Sequence, residues 1–176
     1  MKIKTRHITL SAMMAALAVA LDYLSFKTDS TKITLYSLPL LLSGILFGPW
    51  IGLLTGMVAG FLSQLLTVGL GPTTPLWMLA PMCWGFISGL LFQKGFKTKR
   101  SNVSIITTVI VTSLVCLSVN TLCLWLDGLI YHYPTPYVLT QLLGRIITSL
   151  LIGSLYCVFI ILTFPRLNSY AQLNNK

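Results

Sequence analysis

The chain has 176 residues, of which 55% are hydrophobic and only 9% are charged. Soluble domains carry about 25% charged residues, so this composition excludes a water-soluble globular domain and indicates a polytopic membrane protein with room for about six spans. The formal net charge of +9 does not indicate a nucleic-acid partner, because the basic residues cluster in short segments between the apolar runs.

The first predicted span covers residues 8–26 and follows a short basic tail. No signal-peptide cleavage pattern follows its apolar run, so we expect the span to be retained. Ala12, Ala16 and Ala20 recur every four residues, and positions four apart lie on one face of a helix. Because small residues let helices approach closely in lipid, this alanine stripe predicts a docking face for a partner helix.

Five further apolar segments predict the rest of the fold. The first of them contains Pro39, at which we expect a break, and Gly48 and Pro49 form a tight turn after it. The fourth span contains Pro81, at which we expect a kink. The five spans are predicted at 33–47, 50–68, 76–92, 103–126 and 137–163. The predicted fold class is therefore all-α and integral to the membrane, with one six-helix domain over residues 1–176.

The distribution of basic residues predicts the orientation of the chain in the membrane. Nine lysines and arginines fall on the side of the N-terminus: Lys2, Lys4, Arg6, Lys94, Lys97, Lys99, Arg100, Arg166 and Lys176. The opposite loops hold only Lys27 and Lys32, and Arg145 lies within the sixth span. Since cytoplasmic loops carry the excess of Lys and Arg, both termini are predicted to be cytoplasmic.

Polar and aromatic residues are concentrated at the outer end of the predicted bundle, around the loops 25–33, 68–75 and 127–136. The inner halves of the spans are nearly featureless. This asymmetry predicts a pocket open to the outside, with aromatic rings for stacking and a few polar groups for orientation. The predicted substrate-binding residues are Asp22, Tyr23, Lys32, Tyr36, Gln64, Thr74, Trp77, Trp84, Asn120, Trp125, Gln141 and Arg145.

Several of these residues have a structural alternative to ligand binding. Trp77 and Trp125 are also placed as aromatics of the membrane interface would be, and Asn120 could instead bond a neighbouring helix. Arg145 is a functional candidate because an intramembrane charge is costly, although its side chain could also snorkel to the outer surface. Asp22 could instead form an ion pair with Lys32 or Arg145.

The sequence holds no catalytic signature. It lacks HExxH and GxSxG motifs, a phosphate-binding loop and any glutamate, and its four cysteines form no CxxC pair. We therefore expect no enzyme activity, no metal site, no cofactor bound by this chain and no ATPase site of its own. A stand-alone channel or facilitator remains the alternative class to a transporter subunit.

Long stretches of the chain resemble the S components of energy-coupling factor (ECF) vitamin transporters, in particular the folate-like group. The matching stretches are ITLSAMMAALAVAL, KITLYSLPLLLSGILFGPWIGLLTGMVAG, TPLWMLAPMCWGFISGLLF, VNTLCLWL and LLGRIITSLLIG. The FGPWxG motif between spans two and three and the AxxxA helix carry the resemblance most specifically, and neither specifies the ligand.

The resemblance implies a multi-pass protein of the bacterial cell membrane that captures a vitamin at its outer end. It also implies three kinds of partner besides lipid: the vitamin, a transmembrane T subunit that contacts the Ala12 and Ala16 face, and two cytoplasmic ATPases that use ATP. In that family, the S component is proposed to topple within the membrane and release its cargo inward.

One departure from the folate-like pattern bears on the ligand. Folate-binding members commonly carry an arginine near the end of span one, where this chain has Asp22 and Tyr23. An acidic residue suits a neutral or amine-bearing ring better than a dicarboxylate, so the sequence favours a small heteroaromatic of the hydroxymethylpyrimidine or pyridoxine type. Pantothenate and folate remain alternatives, because Arg145 and Lys32 could hold a carboxylate.

Overall fold

The structure is a computed structural model that describes residues 5–27, 32–67, 69–95 and 102–173. Its helices are α1 (Thr5–Tyr23), α2 (Ser37–Phe47), α3 (Pro49–Thr67), α4 (Thr74–Gly89), α5 (Asn102–Tyr131) and α6 (Thr135–Leu173), and a π-helical turn, Leu90–Gly95, extends α4. Two short strands, β1 (Phe26–Lys27) and β2 (Lys32–Ile33), pair antiparallel between α1 and α2. The predicted six-helix fold class is confirmed, while the hairpin was not predicted.

Among the described residues, four helical segments are long and apolar enough to cross a membrane. They cover Pro49–Thr67, Thr74–Gln93, Val103–Tyr131 and Thr140–Thr163, and α1 and α2 contribute two shorter apolar helices. Large apolar side chains such as Leu150 and Leu162 are about 70% exposed on the outside of the bundle. In a membrane protein this surface faces lipid, which solvates apolar groups as well as a protein core does.

Helix α2 is the centre of the bundle. Its 11 residues span only about 16 Å, roughly half of the hydrocarbon core, and the run from Leu38 to Ile45 is buried. A helix that is apolar on every side is expected to be enclosed by others. Leu41 packs in a core with residues of α5 and α6, whereas Leu40 packs with alanines of α1 and α3.

The break predicted at Pro39 is wrong. Pro39 is the third residue of α2 and is buried within it. The first N–H groups of a helix have no acceptor in their own helix, so a proline there removes no intrahelical hydrogen bond. The turn predicted at Gly48 and Pro49 is confirmed, since Gly48 adopts a φ of 101° and Pro49 begins α3.

Helices α2, α3 and α4 approach so closely that only glycine fits at their crossing. A Cβ atom at Gly52 of α3 would collide with the backbone of Gly85 in α4 and of Gly44 in α2. A Cβ at Gly56 would collide with the carbonyl of Pro81, which lies inside α4 as predicted. Backbone contacts of this kind are how helices pack tightly in lipid, where the hydrophobic effect does not drive their association.

The loop predicted at 127–136 is largely helical. Helix α5 continues to Tyr131, the N–H of Tyr133 bonds to the carbonyl of Gly128 at 3.0 Å, and His132 adopts a φ of 54° that ends the helix. Asp127 therefore lies on α5 and is 5% exposed rather than in an open loop. Helix α6, with 39 residues, extends over about 58 Å and exceeds the predicted span 137–163.

The glycine crossing makes a direct prediction for stability. Gly85→Ala places a methyl group against the backbone of Gly52 and should lower the free energy of unfolding by about 1–3 kcal/mol through overpacking. Thermal unfolding in detergent measures the effect. The matched control is Gly153→Ala in α6, where a Cβ would meet only the Ser113 hydroxyl, at 3.5 Å. An equal loss of stability in both variants would contradict this account of the crossing.

Candidate functional site

A cavity of about 420 Å³ lies between the helices, and every helix contributes to its wall. This volume is within the range of small-molecule sites, about 300–1,000 Å³. Eight of the residues predicted to bind substrate line it: Asp22, Tyr36, Gln64, Trp77, Trp84, Asn120, Gln141 and Arg145. The fold thus brings side chains that are far apart in sequence to one cavity.

The wall formed by α1 and α3 is acidic. Asp22, near the end of α1, is 2% exposed, and the hydroxyl of Ser63 on α3 donates a hydrogen bond to its carboxylate. A buried carboxylate needs such donors because water no longer solvates it. Tyr36 lines the same cavity, and its buried hydroxyl has no hydrogen-bond partner among the described residues.

The segment between the hairpin and α2 is fixed by the Thr34 hydroxyl. That hydroxyl donates to the carbonyl of Leu21 in α1 at 3.3 Å and accepts the N–H of Tyr36 at 3.1 Å. Threonine hydroxyls commonly organise turns in this way. The two contacts hold Tyr36 beside the end of α1 that carries Asp22.

The opposite wall, formed by α4, α5 and α6, is basic. Arg145 of α6 donates through Nη1 to the carbonyl of Asn120 in α5 at 3.0 Å, and its guanidinium carbon lies 5.2 Å from the ring centroid of Trp77 in α4. A cation over a tryptophan face is attracted by the ring quadrupole. One arginine therefore connects three helices while it lines the cavity.

An aromatic pair lines the cavity between α4 and α6. The rings of Trp84 and Tyr156 meet edge to face, with centroids 5.8 Å apart, and the Tyr156 hydroxyl donates to the carbonyl of Thr34 at 3.4 Å. Aromatic walls of this kind bury flat apolar surface of a ligand. The cavity follows α6 from Gln141 to Tyr156, which is about 22 Å along the helix axis.

Four of the predicted residues are not on this wall. Tyr23 is 75% exposed on α1, because it follows Asp22 by one position and points to another side of the helix. Trp125 is 55% exposed and borders a separate apolar groove between α5 and α6. Thr74 instead stabilises the turn into α4, where its hydroxyl accepts the N–H of Gly71 at 2.8 Å. The prediction for Lys32 falls on a side chain outside the described residues.

The cavity also includes residues that the sequence analysis did not single out, among them Ser63, Ser113, Ser149, Gly153 and Tyr156. The sequence analysis predicted nearly featureless inner halves for the spans. Gly153 and Tyr156, which lie in the inner half of the predicted sixth span, line the cavity nevertheless. The available signal was periodicity: on α6 the lining positions are 141, 145, 148, 149, 152, 153 and 156, which follow the face of a helix marked by Arg145. Serine and glycine are common in apolar helices, so neither residue type by itself indicated a binding position.

The alanine stripe of α1 lies outside the bundle. Ala12, Ala16 and Ala20 are exposed, whereas Ala15 and Ala18 are buried against Leu40 and Ala59. Helix α1 therefore has two small-residue faces, one used for packing within the chain and one left open. The open face is compatible with the predicted docking surface, which stays a prediction.

Comparison with known proteins identifies relatives over nearly the whole chain. A sequence model of the family described as ECF-type riboflavin transporter, S component, matches residues 2–166. The solved structure of the S component of a bacterial ECF transporter superposes with a TM-score of 0.68 at 23% identity, covering 94% of this chain and 96% of that one. FolT bound with folic acid superposes with a TM-score of 0.65 at 19% identity, covering 90% and 93%. At these identities, the superpositions show a shared fold.

One curated relative has a different length. Sensor histidine kinase YpdA of Escherichia coli (strain K12) is 24% identical over 155 residues, which are 88% of this chain and 26% of the kinase. The chain thus spans about a quarter of that relative. The kinase's activity is accordingly a property of a much longer protein.

The hydrogen bond between Ser63 and Asp22 predicts an effect on stability. Ser63→Ala removes a donor from a buried carboxylate and should lower the free energy of unfolding by about 1–3 kcal/mol. The control is Thr67→Val one turn later, whose lost hydroxyl bonds only within its own helix. Thermal unfolding in detergent compares the two variants, and a loss at position 67 as large as that at position 63 would contradict the assigned role.

Proposed function

The chain belongs to the family of ECF-type riboflavin transporter S components, and from this premise we propose that it is the substrate-binding subunit of an ATP-driven vitamin importer. S components are membrane-embedded subunits that bind substrate and are not enzymes. The cavity of about 420 Å³ with aromatic walls and two fixed charged residues carries the proposal. Such a site binds a small molecule by burying its ring and orienting its polar groups.

The ligand we propose is a planar heteroaromatic vitamin without a carboxylate. The aromatic side chains Trp77, Trp84 and Tyr36 offer surfaces to a ring. The Asp22 carboxylate accepts hydrogen bonds from ring N–H or amino groups, and it would repel a carboxylate brought close to it. Arg145 supplies donors for a ring carbonyl, a hydroxyl or a ring nitrogen.

Within this class, a hydroxymethylpyrimidine or pyridoxine type of ligand is our lead. Riboflavin, which appears in the description of the matching family, is also an uncharged planar heteroaromatic. Folic acid, the ligand of the structural relative FolT, carries two carboxylates and suits the acidic wall less well. Pantothenate could place its carboxylate at Arg145, but it has no ring for the aromatic walls to contact.

We further propose that the open alanine stripe of α1 docks on the transmembrane T subunit, which couples two cytoplasmic ATPases to this chain. The stripe is exposed while the other face of α1 is packed against the bundle. A partner helix can approach such a surface closely. The excess of basic residues on the side of the termini supports cytoplasmic N- and C-termini, so that the outer end of the cavity faces the nutrient.

Ligand binding by the purified subunit tests the proposal. Mass spectrometry identifies any co-purified small molecule, and calorimetric titration compares hydroxymethylpyrimidine, pyridoxine, riboflavin, folate and pantothenate. Trp84→Ala and Arg145→Ala should weaken binding of the preferred compound by roughly tenfold or more, since each removes a ligand-facing group. The control is Trp125→Ala, which removes an exposed tryptophan outside the cavity. Binding of none of the five compounds would contradict the proposed function.

Uptake by the assembled transporter tests the docking face separately. Ala12→Trp or Ala16→Trp should abolish uptake in cells that express the whole complex and leave ligand affinity of the isolated subunit unchanged, because a bulky side chain prevents close helix approach. Leu150→Trp, on an exposed position of α6, is the control and should transport normally. Vitamin uptake into liposomes that contain this chain without ATPases would instead indicate a facilitator.

A further inference from the structure

The inner end of the cavity lies between α5 and α6 and differs from the outer end in its chemistry. Ser113 of α5 and Ser149, Gly153 and Tyr156 of α6 line it, and none of these side chains is charged. Ser113 precedes Asn120 by seven residues, which places it about 10 Å deeper along α5. A ligand group that reaches this depth meets neutral polar atoms and the protein's low-dielectric interior.

Helix packing does not explain the glycine at position 153. At Gly44, Gly52, Gly56 and Gly85 an added Cβ would collide with the backbone of a neighbouring helix. At Gly153 the contact within 4 Å is the Ser113 hydroxyl, at 3.5 Å, which is an ordinary van der Waals distance. Alanine would fit there and is a much better helix former than glycine. What glycine provides at this position is space at the inner end of the cavity.

The Ser113 hydroxyl is the second feature of this inner end. It is buried and has no hydrogen-bond partner among the described residues. Most neighbouring hydroxyls on these helices behave differently: those of Thr108, Ser118 and Thr121 donate to the carbonyl four residues earlier, and that of Ser149 to the carbonyl three residues earlier. A buried hydroxyl without a partner is costly and calls for one supplied from elsewhere.

Ser113 lines the cavity, and a rotation about χ1 can redirect its hydroxyl, which lies beside Gly153. Serine has three staggered rotamers, and its hydroxyl can either donate or accept a hydrogen bond. The side chain is short, so the rotation needs no backbone movement. The hydroxyl is therefore available to a ligand group that enters the space beside Gly153.

We propose that Ser113 and Gly153 form an inner subsite that determines ligand specificity, in which Gly153 leaves room for an uncharged polar substituent and Ser113 hydrogen-bonds to it. The substituent is a hydroxyl, a hydroxymethyl or an amide group, because the subsite offers no charge to neutralise an ion. The inference rests on the proposed function. It adds that the ligand carries its neutral polar end inward and presents its ring to Trp84 and Asp22.

Two substitutions at Gly153 test the size of the subsite. Gly153→Ala and Gly153→Val fill the space, and the ligand that binds the wild-type protein should lose affinity by roughly 5- to 100-fold, with valine the more severe. Gly153→Ala should at the same time raise the melting temperature of the ligand-free protein by about 2–4 °C, because alanine favours the helix. Ser154→Val, at the adjacent exposed position, is the control and should not change affinity.

A second pair of substitutions tests the hydrogen bond. Ser113→Ala should weaken binding roughly 2- to 10-fold without lowering the melting temperature of the ligand-free protein, because the lost hydroxyl had no partner. Thr112→Val is the matched control: its hydroxyl is also buried without a partner among the described residues, but Thr112 is not on the cavity wall. We expect the Thr112→Val variant to bind the ligand with the affinity of the wild-type protein.

The probes are hydroxymethylpyrimidine, pyridoxine, riboflavin, folate and pantothenate, titrated against full-length protein in detergent. If the wild type binds one of them and both Gly153→Val and Ser113→Ala bind it equally well, the inner subsite is refuted and the proposed function stands. If the wild type binds none of the five, the proposed function fails and the subsite with it.

Discussion

The close approach of the α2, α3 and α4 backbones is the constraint on which the rest of the structure depends. Where Gly44, Gly52 and Gly85 meet, no side chain separates the helices. Three helices packed this tightly act as one block, and the short, fully buried α2 can exist only because the others enclose it. The cavity borders this block, because residues of α3 and α4 line it together with residues of α5 and α6.

The charges of Asp22 and Arg145 are tolerated inside the bundle because each is engaged by groups of another helix. The Asp22 carboxylate accepts a hydrogen bond from the Ser63 hydroxyl. The Arg145 guanidinium donates a hydrogen bond to a backbone carbonyl of α5 and lies over the ring of Trp77. Such contacts reduce the cost of burying a charge. They also place one negative and one positive group on walls formed by different helices, so a ligand that contacts both must lie across the cavity.

The sequence predicted the helices and eight of the residues that line the cavity, because those features have strong local signals. Long apolar runs, the Gly48–Pro49 turn and an intramembrane arginine each have a physical meaning that does not depend on the fold. The sequence failed where tertiary context decides. Pro39 is harmless in the first turn of a buried helix, and Asp127 with Gly128 continues α5 instead of ending it. Ser113 and Gly153 look ordinary in sequence, and their importance arises from the space between two helices.

Helix α1 connects the two surfaces that the proposed function requires. Asp22 lies on its packed side, in line with Ala15 and Ala18, while Ala12, Ala16 and Ala20 lie on its open side. A ligand that hydrogen-bonds to Asp22 would therefore contact the same helix that carries the alanine stripe proposed for docking. Any change in the tilt of α1 that accompanies binding must be transmitted to the alanine stripe, because both are fixed to one continuous 19-residue helix. Under the proposed function, helix α1 is therefore the element that would couple the ligand to the partner.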